Sequence, residues 1–288
     1  MTQFLPYGRQ LIEDDDVAAV AAVLRSEMLT TGPMVPAFET AFAEATGVPH
    51  ALACSNGTAA LHLVAAALDL GPGVAAVVPS ITFLATANAV RLTGAEVVFA
   101  DVDSDTGLLT PEAASAALAR AEWPVKALFP VHLGGQTVDL PGIAAVAAKH
   151  GAVVVEDACH ALGTSFADGT GQQQLVGACT HAVAATFSLH PVKTIAAGEG
   201  GVVTTADPAL ARRVALLRNH GMHRDPPFTN PLALAPDGRV NPWYYEMSEP
   251  GFNYRLSDIQ AALALSQLKK LDRFAARRRA LAQRYEQR

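Results

Sequence analysis

Cysteine is scarce in this chain of 288 residues, limited to Cys54, Cys159 and Cys179. An odd number with no C-x-x-C spacing excludes a disulfide framework and a structural zinc ribbon. Basic residues are also in short supply, 21 Lys and Arg against 27 Asp and Glu, for a formal charge of −6. That balance argues against a main role in gripping nucleic acid or an anionic membrane. No run approaches the ~18 uninterrupted apolar residues of a membrane span. The first nine residues, MTQFLPYGR, lack the basic start and apolar stretch of a signal peptide, so a soluble cytoplasmic protein is expected. Charged residues reach only 17%, whereas the AVILMFWYC set makes up 50%, which excludes intrinsic disorder. At roughly 150 residues per domain the length suggests about two domains, or one large α/β domain with an appendage.

What is present is an alternation of helical and strand-like segments without repeats or low-complexity linkers. Residues 14–25 open on acidic residues and read as a helix, and 35–46 as a second. Short apolar or β-branched runs follow at 51–54, 75–78, 96–100, 127–131, 152–156, 182–187 and 201–205. Helical stretches separate them, among them 59–68 and 82–92. Between the last two strands there is no room for a helix of normal length. Continuous apolar runs such as Val153-Val154-Val155 mark strands covered on both faces. The alternation predicts a mostly parallel seven-stranded sheet wound by helices, with ligands outside the carboxyl ends of the strands.

Three groups of residues fall at such ends. Ser55-Asn56-Gly57-Thr58 lies between a strand and a helix, where free N–H groups and the helix dipole favour an anion such as phosphate. The plain alternative is a βα turn with a helix cap. Glu156-Asp157-Ala158-Cys159-His160 ends the 152–156 strand and puts a carboxylate over the crevice. It reads alternatively as an N-cap; a metal set of Glu156, Asp157, Cys159 and His160 is disfavoured because four neighbours cannot all point at one ion. Ser188-Leu189-His190-Pro191-Val192-Lys193, followed by Gly198-Glu199-Gly200-Gly201, places a lysine at a third strand end. Most lysines are surface residues, but one in a crevice condenses with carbonyls. His190 reads as an ordinary turn histidine.

Taken together, an anion nest, a carboxylate and a lysine at strand ends match the needs of pyridoxal phosphate. The lysine forms the covalent link, the carboxylate keeps the pyridine nitrogen protonated and the nest holds the phosphate. Phe83, just past Pro79-Ser80, is placed to cover the ring; ordinary core packing is its alternative.

At these residues the sequence resembles the sugar-nucleotide aminotransferases of the DegT/DnrJ type. The matching motifs are Thr31-Gly32-Pro33, Ser55-Asn56-Gly57-Thr58-Ala59-Ala60-Leu61, Glu156-Asp157-Ala158-Cys159-His160-Ala161-Leu162-Gly163, Phe187-Ser188-Leu189-His190-Pro191-Val192-Lys193, Gly198-Glu199-Gly200-Gly201 and Asn253-Tyr254-Arg255-Leu256-Ser257-Asp258-Ile259-Gln260. They run in the family's order over nearly the whole chain. The resemblance implies the fold type I of pyridoxal-phosphate transferases, the aspartate-aminotransferase-like architecture. It implies that Lys193 carries the cofactor and shuttles the proton, that Asp157 pairs with the pyridine nitrogen, that Phe83 stacks on the ring and that His160 sits close to it. Gly57, Thr58 and Ser188 would bind the phosphate, and Asn253 would reach the phosphate of a neighbouring subunit, making the site a property of a homodimer. Relatives with histidine in place of the lysine are dehydratases; this chain keeps Lys193.

A narrower resemblance, to the subgroup acting in pseudaminic acid biosynthesis, rests on Asn241-Pro242-Trp243-Tyr244-Tyr245-Glu246-Met247, Asn219-His220-Gly221-Met222 and Ala264-Leu265-Ser266-Gln267-Leu268-Lys269-Lys270. It implies transfer of an amino group from L-glutamate to C4 of a UDP-linked 4-keto-6-deoxy-N-acetyl sugar. Tyr7, Glu27, Met28, Leu29, Thr30 and Gly57 would line the sugar-nucleotide site. The aromatic residues 243–245 read alternatively as an interface or surface cluster. Competing expectations are an aminotransferase for a dTDP- or GDP-linked keto-sugar and a non-catalytic binding or regulatory protein on the same scaffold. Residues 1–252 are expected to form the large cofactor-binding α/β domain with an N-terminal arm. Residues 256–288 read as one long helix, so 253–288 would begin a small C-terminal domain that the chain truncates.

Overall fold

A computed structural model of the chain describes residues 8–287. Seven strands form one sheet: β1 (His50–Cys54), β2 (Ala75–Pro79), β3 (Glu96–Ala100), β4 (Val125–Leu128), β5 (Val153–Asp157), β6 (Ala184–Ser188) and β7 (Gly201–Thr205), in the order β1-β7-β6-β5-β4-β2-β3. All pairings are parallel except those of β7 with β1 and β6. A parallel return needs a crossover, usually helical. The stretch from Leu189 to Gly200 holds no helix, so β7 runs back against β6.

Nine α-helices lie among the described residues: α1 (Asp14–Leu24), α2 (Met34–Thr46), α3 (Gly57–Ala67), α4 (Leu84–Leu92), α5 (Pro111–Ala119), α6 (Leu140–Lys149), α7 (Pro208–Arg218), α8 (Asp258–Leu268) and α9 (Leu271–Glu286). Several of their starts carry side-chain caps that satisfy free backbone N–H groups. Asn56 accepts from Ala59 N in α3, Thr110 from Ala113 N in α5, Asp139 from Gly142 N in α6 and Asp207 from Ala209 N in α7. Ser257 and Gln260 form a capping box at α8.

Alternate residues of each strand feed two separate cores, as the two-residue period requires. Ala51, Ala53, Val77, Val154, Ala185 and Val202 pack on one face with α2, α5, α6 and α8. Leu52, Cys54, Val78, Val155, Ala184 and Val203 pack on the other with α3, α4 and α7. The same alternation sends Glu156 and Asp157 to opposite faces.

The single helix expected over 256–288 is two helices. The chain turns between Leu268 and Leu271, where Lys270 is drawn down onto the acidic first turn of α1. Its ammonium lies 2.6 Å from Asp15, 2.8 Å from the buried Asp16 and 3.2 Å from Glu13. No helix among the described residues is long and apolar enough to cross a membrane.

Candidate active site

The carboxyl ends of β1, β5 and β6 converge. Capping by Asn56 takes up the Ala59 N–H, and the first intrahelical bond is made by Ala60 N to Asn56 O at 3.0 Å. The N–H groups of Gly57 and Thr58 therefore remain for an anion at the start of α3. Gly57 lies so near β6 that a Cβ added there would sit 2.9 Å from Ser188 Cβ and 3.4 Å from Cys159 Sγ. The nest from the first motif, Ser188 from the third and Cys159 from the second thus share one cradle.

Asp157 ends β5 and is 4% exposed. Its Oδ2 accepts from Thr86 Oγ1 at 2.7 Å and its Oδ1 from Cys159 N at 3.2 Å. Among the described residues no cationic side chain lies within ion-pair distance of it, although other buried carboxylates of the chain, such as Asp16, have one. A buried carboxylate without a cation is costly, which makes this a place for a ligand carrying a protonated nitrogen. Phe83 caps α4 one turn before Thr86; it is 65% exposed and so is not part of the core.

Lys193 sits on the loop between β6 and β7. That loop is pinned at its base by Leu189 N to Gly200 O at 2.8 Å and Ala197 N to Leu189 O at 2.9 Å. It is gripped from outside by the last two helices: Gln260 Nε2 donates to Glu199 O at 2.9 Å, Gln267 Oε1 accepts from Ala196 N at 3.4 Å, and an Arg278 N–H donates to Lys193 O at 2.6 Å. The positive charge of Lys193 reaches the second motif. Burial foremost, and then this lysine, hold the His160 imidazole below its ordinary pKa. Burial also pushes the Cys159 thiol well up, with the Asp157 charge adding to it, so Cys159 is not a nucleophile at neutral pH. His160 Nδ1 accepts from Gly134 N at 3.2 Å.

Other expected site residues lie elsewhere or beyond view. Tyr7 lies outside the described residues. Glu27, Met28, Leu29 and Thr30 are exposed after α1; their contacts run to the start of α8, with Thr30 bridging Ser257 and Leu29 O accepting from Asp258 N at 3.0 Å. The buried Asp258 takes the N–H groups of Gly32 and Met34, both at 2.8 Å. This couples the Thr31-Gly32-Pro33 motif to the one that contains Asp258. Asn253 is exposed and bridges Asn219, while the next residue, Tyr254, accepts from Ser55 N at 2.8 Å. Two buried residues escaped the sequence reading. Thr86 is one. The other is His132, whose Nε2 lies 3.0 Å from Glu156 Oε2 on the reverse face of β5.

Known proteins share this fold. Residues 10–288 match the model of the DegT/DnrJ/EryC1/StrS aminotransferase family. The chain belongs to that family. Among solved structures, PseC from Helicobacter pylori, an aminotransferase involved in the biosynthesis of pseudoaminic acid, is 30% identical, with a TM-score of 0.80 over 94% of this chain and 66% of that one. An aminotransferase from Psychrobacter cryohalolentis is 34% identical, with a TM-score of 0.84 over 98% of this chain and 67% of that one. The PLP-form of Spr1654 from Streptococcus pneumoniae is 27% identical, with a TM-score of 0.84 over 99% and 71%. The DegT-family sheet and its helices are therefore shared, and the chain spans about two-thirds of the length of these relatives.

Proposed function

We propose that this chain is the cofactor-binding part of a pyridoxal-phosphate-dependent aminotransferase acting on a nucleotide-linked keto-sugar. The observation that carries the reading is the grouping of three features on the same side of the sheet: the α3 nest beside Ser188, the buried Asp157 with no cation at ion-pair distance among the described residues, and the Lys193 loop. These features fit the cofactor's phosphate, ring nitrogen and aldehyde in turn. When bound, the cofactor supplies an electron sink that lets an amine exchange between two carbon skeletons. Gly57, Thr58 and Ser188 hold the phosphate. Asp157 accepts the ring N–H, and Phe83, already out of the core, covers one ring face. Lys193 would anchor the cofactor's aldehyde and would hold and return the proton that moves during exchange. His160, whose pKa burial and the Lys193 charge lower, would sit beside the cofactor ring.

The finer assignment is transfer from L-glutamate to C4 of a UDP-linked 4-keto-6-deoxy-N-acetyl sugar, as in the pseudaminic acid pathway. The motifs at 219–222, 241–247 and 264–270 support it, as does the similarity to PseC. Residues 27–30 and Tyr7 would meet the sugar nucleotide, and Asn253 would serve the site of a second copy. Residues 253–288 would lead from the large domain into a smaller one.

Lys193→Ala tests the core of the reading. Wild-type protein mixed with pyridoxal phosphate should gain a visible absorption band that survives dialysis, and the variant should not. An identical band in the variant would reject Lys193 as the anchor. Turnover of a panel of UDP-, dTDP- and GDP-linked keto-sugars with glutamate tests the substrate. Preference for a non-UDP sugar would remove the pseudaminic assignment.

A further inference from the structure

The Asp157 carboxylate is held by a side chain that none of the motifs contains. Thr86 occupies the first turn of α4 and is fully buried. Its Oγ1 lies 2.7 Å from Asp157 Oδ2 and 2.8 Å from Thr82 Oγ1. Phe83 O lies 3.2 Å away. A hydroxyl has one proton to give and can accept as well. A buried carboxylate oxygen is the strongest acceptor in reach. The satisfied arrangement is therefore a chain in which Thr82 donates to Thr86 and Thr86 donates to Asp157, each bond polarising the next. Asp157 Oδ1 is meanwhile fixed by Cys159 N. The carboxylate is thus held at both oxygens, one by the backbone just past its own strand and one by α4, and its plane is set before any ligand arrives. The same turn of α4 carries Phe83, so the ring-covering residue and the carboxylate's support move as one unit.

We propose that Thr86 is a positioning residue, whose hydroxyl orients Asp157 toward the cofactor's ring nitrogen. This rests on the pyridoxal-phosphate reading above. The role needs the hydroxyl and not the bulk, so two substitutions separate them. Thr86→Val keeps the shape and removes the donor; Thr86→Ser keeps the donor and removes a methyl. One charge-assisted hydrogen bond to a buried carboxylate corresponds to about tenfold or more in affinity for a ligand paired to it.

The experiment titrates pyridoxal phosphate into the 288-residue wild type and both variants, and records the pH midpoint of the bound cofactor's visible band. Thermal unfolding without cofactor serves as the folding control. Thr86→Val should weaken cofactor binding about tenfold and move the midpoint upward, because a less protonated ring leaves the lysine link more basic. Thr86→Ser should restore both. A Val variant with wild-type affinity and midpoint would overturn the proposal, as would a Ser variant no better than Val. Should Val fail to fold, Thr86→Ala against Thr86→Ser gives the same contrast. A wild-type protein that forms no visible band would instead overturn the pyridoxal-phosphate reading itself.

Discussion

Replacing Lys270 by methionine removes the cation that serves the buried end of α1. Asp16 has no exposed surface and Lys270 is 9% exposed, so their pair, at 2.8 Å, is shielded from water. Removing one partner of such a pair typically costs about 3–5 kcal/mol, because the other charge stays buried. Asp16 keeps hydrogen bonds from Ser266 Oγ at 2.6 Å, Gln267 Nε2 at 2.7 Å and Glu13 N at 3.0 Å, which favours the lower end, about 3 kcal/mol. The Asp15 contact adds little, since that side chain is 61% exposed and such pairs contribute about 0–1 kcal/mol. Urea unfolding at neutral pH measures the loss. In an Asp16→Asn background, where no buried charge is orphaned, Lys270→Met should cost much less. The pH dependence gives a second handle. Burial raises the Asp16 pKa, but hydrogen bonds from Lys270, Ser266, the Glu13 N–H and Gln267 outweigh it and hold the group below its ordinary value. A carboxyl depressed in the folded state stabilises above its unfolded pKa, and that stability is lost as pH falls through the folded value. Without Lys270 the folded-state pKa rises toward the unfolded one, so the stability that this carboxyl loses on acidification should shrink. A cost below about 1 kcal/mol, the range of an exposed pair, or an equal cost in the Asp16→Asn background, would refute the reasoning.

Gly57→Ala should push α3 off Ser188, since the new methyl would stand 2.9 Å from Ser188 Cβ. Overpacking of this kind costs about 1–3 kcal/mol, partly offset by about 1 kcal/mol of helix propensity. Affinity for pyridoxal phosphate, measured by equilibrium dialysis, should fall far more than stability does. Unchanged affinity would show that the approach to Ser188 is not required. His62 is buried against Phe252 and bonded to Tyr254 Oη at 3.2 Å, and burial holds its pKa below the ordinary value. Its contribution is present above about pH 6.5 and lost as pH falls through the folded pKa. His62→Gln should therefore flatten the acid side of a melting-temperature profile below about pH 6.5; an unchanged slope would contradict it.

The missing helix between 182–187 and 201–205 was legible in the sequence; the strand order and the antiparallel direction of β7 came with the structure. The three strand-end motifs were legible because each pairs an apolar run with glycine or polar residues at its end. Thr86 was not, because a threonine within a helical pattern looks like any other, and its partner is 71 positions away. His132 was hidden in the same way, its partner Glu156 lying on the neighbouring strand and drawn to the far face by alternation. The break near Lys270 escaped because Lys269 and Lys270 are good helix formers. What interrupts the helix is a tertiary contact with Glu13, Asp15 and Asp16.

The reversed direction of β7 has a mechanical corollary. Because the segment carrying Lys193 leaves and re-enters the sheet on two neighbouring interior strands, both of its ends are bolted to the same rigid floor. Lys193 then hangs from a closed strap and not from a tether that crosses to the opposite rim. Its reach is fixed locally, by β6, β7 and the side chains of α8 and α9 that clasp the strap from outside. Length changes in the outer connections of the sheet should be tolerated without retuning the distance between Lys193 and Asp157, whereas one residue added between Leu189 and Gly200 should not.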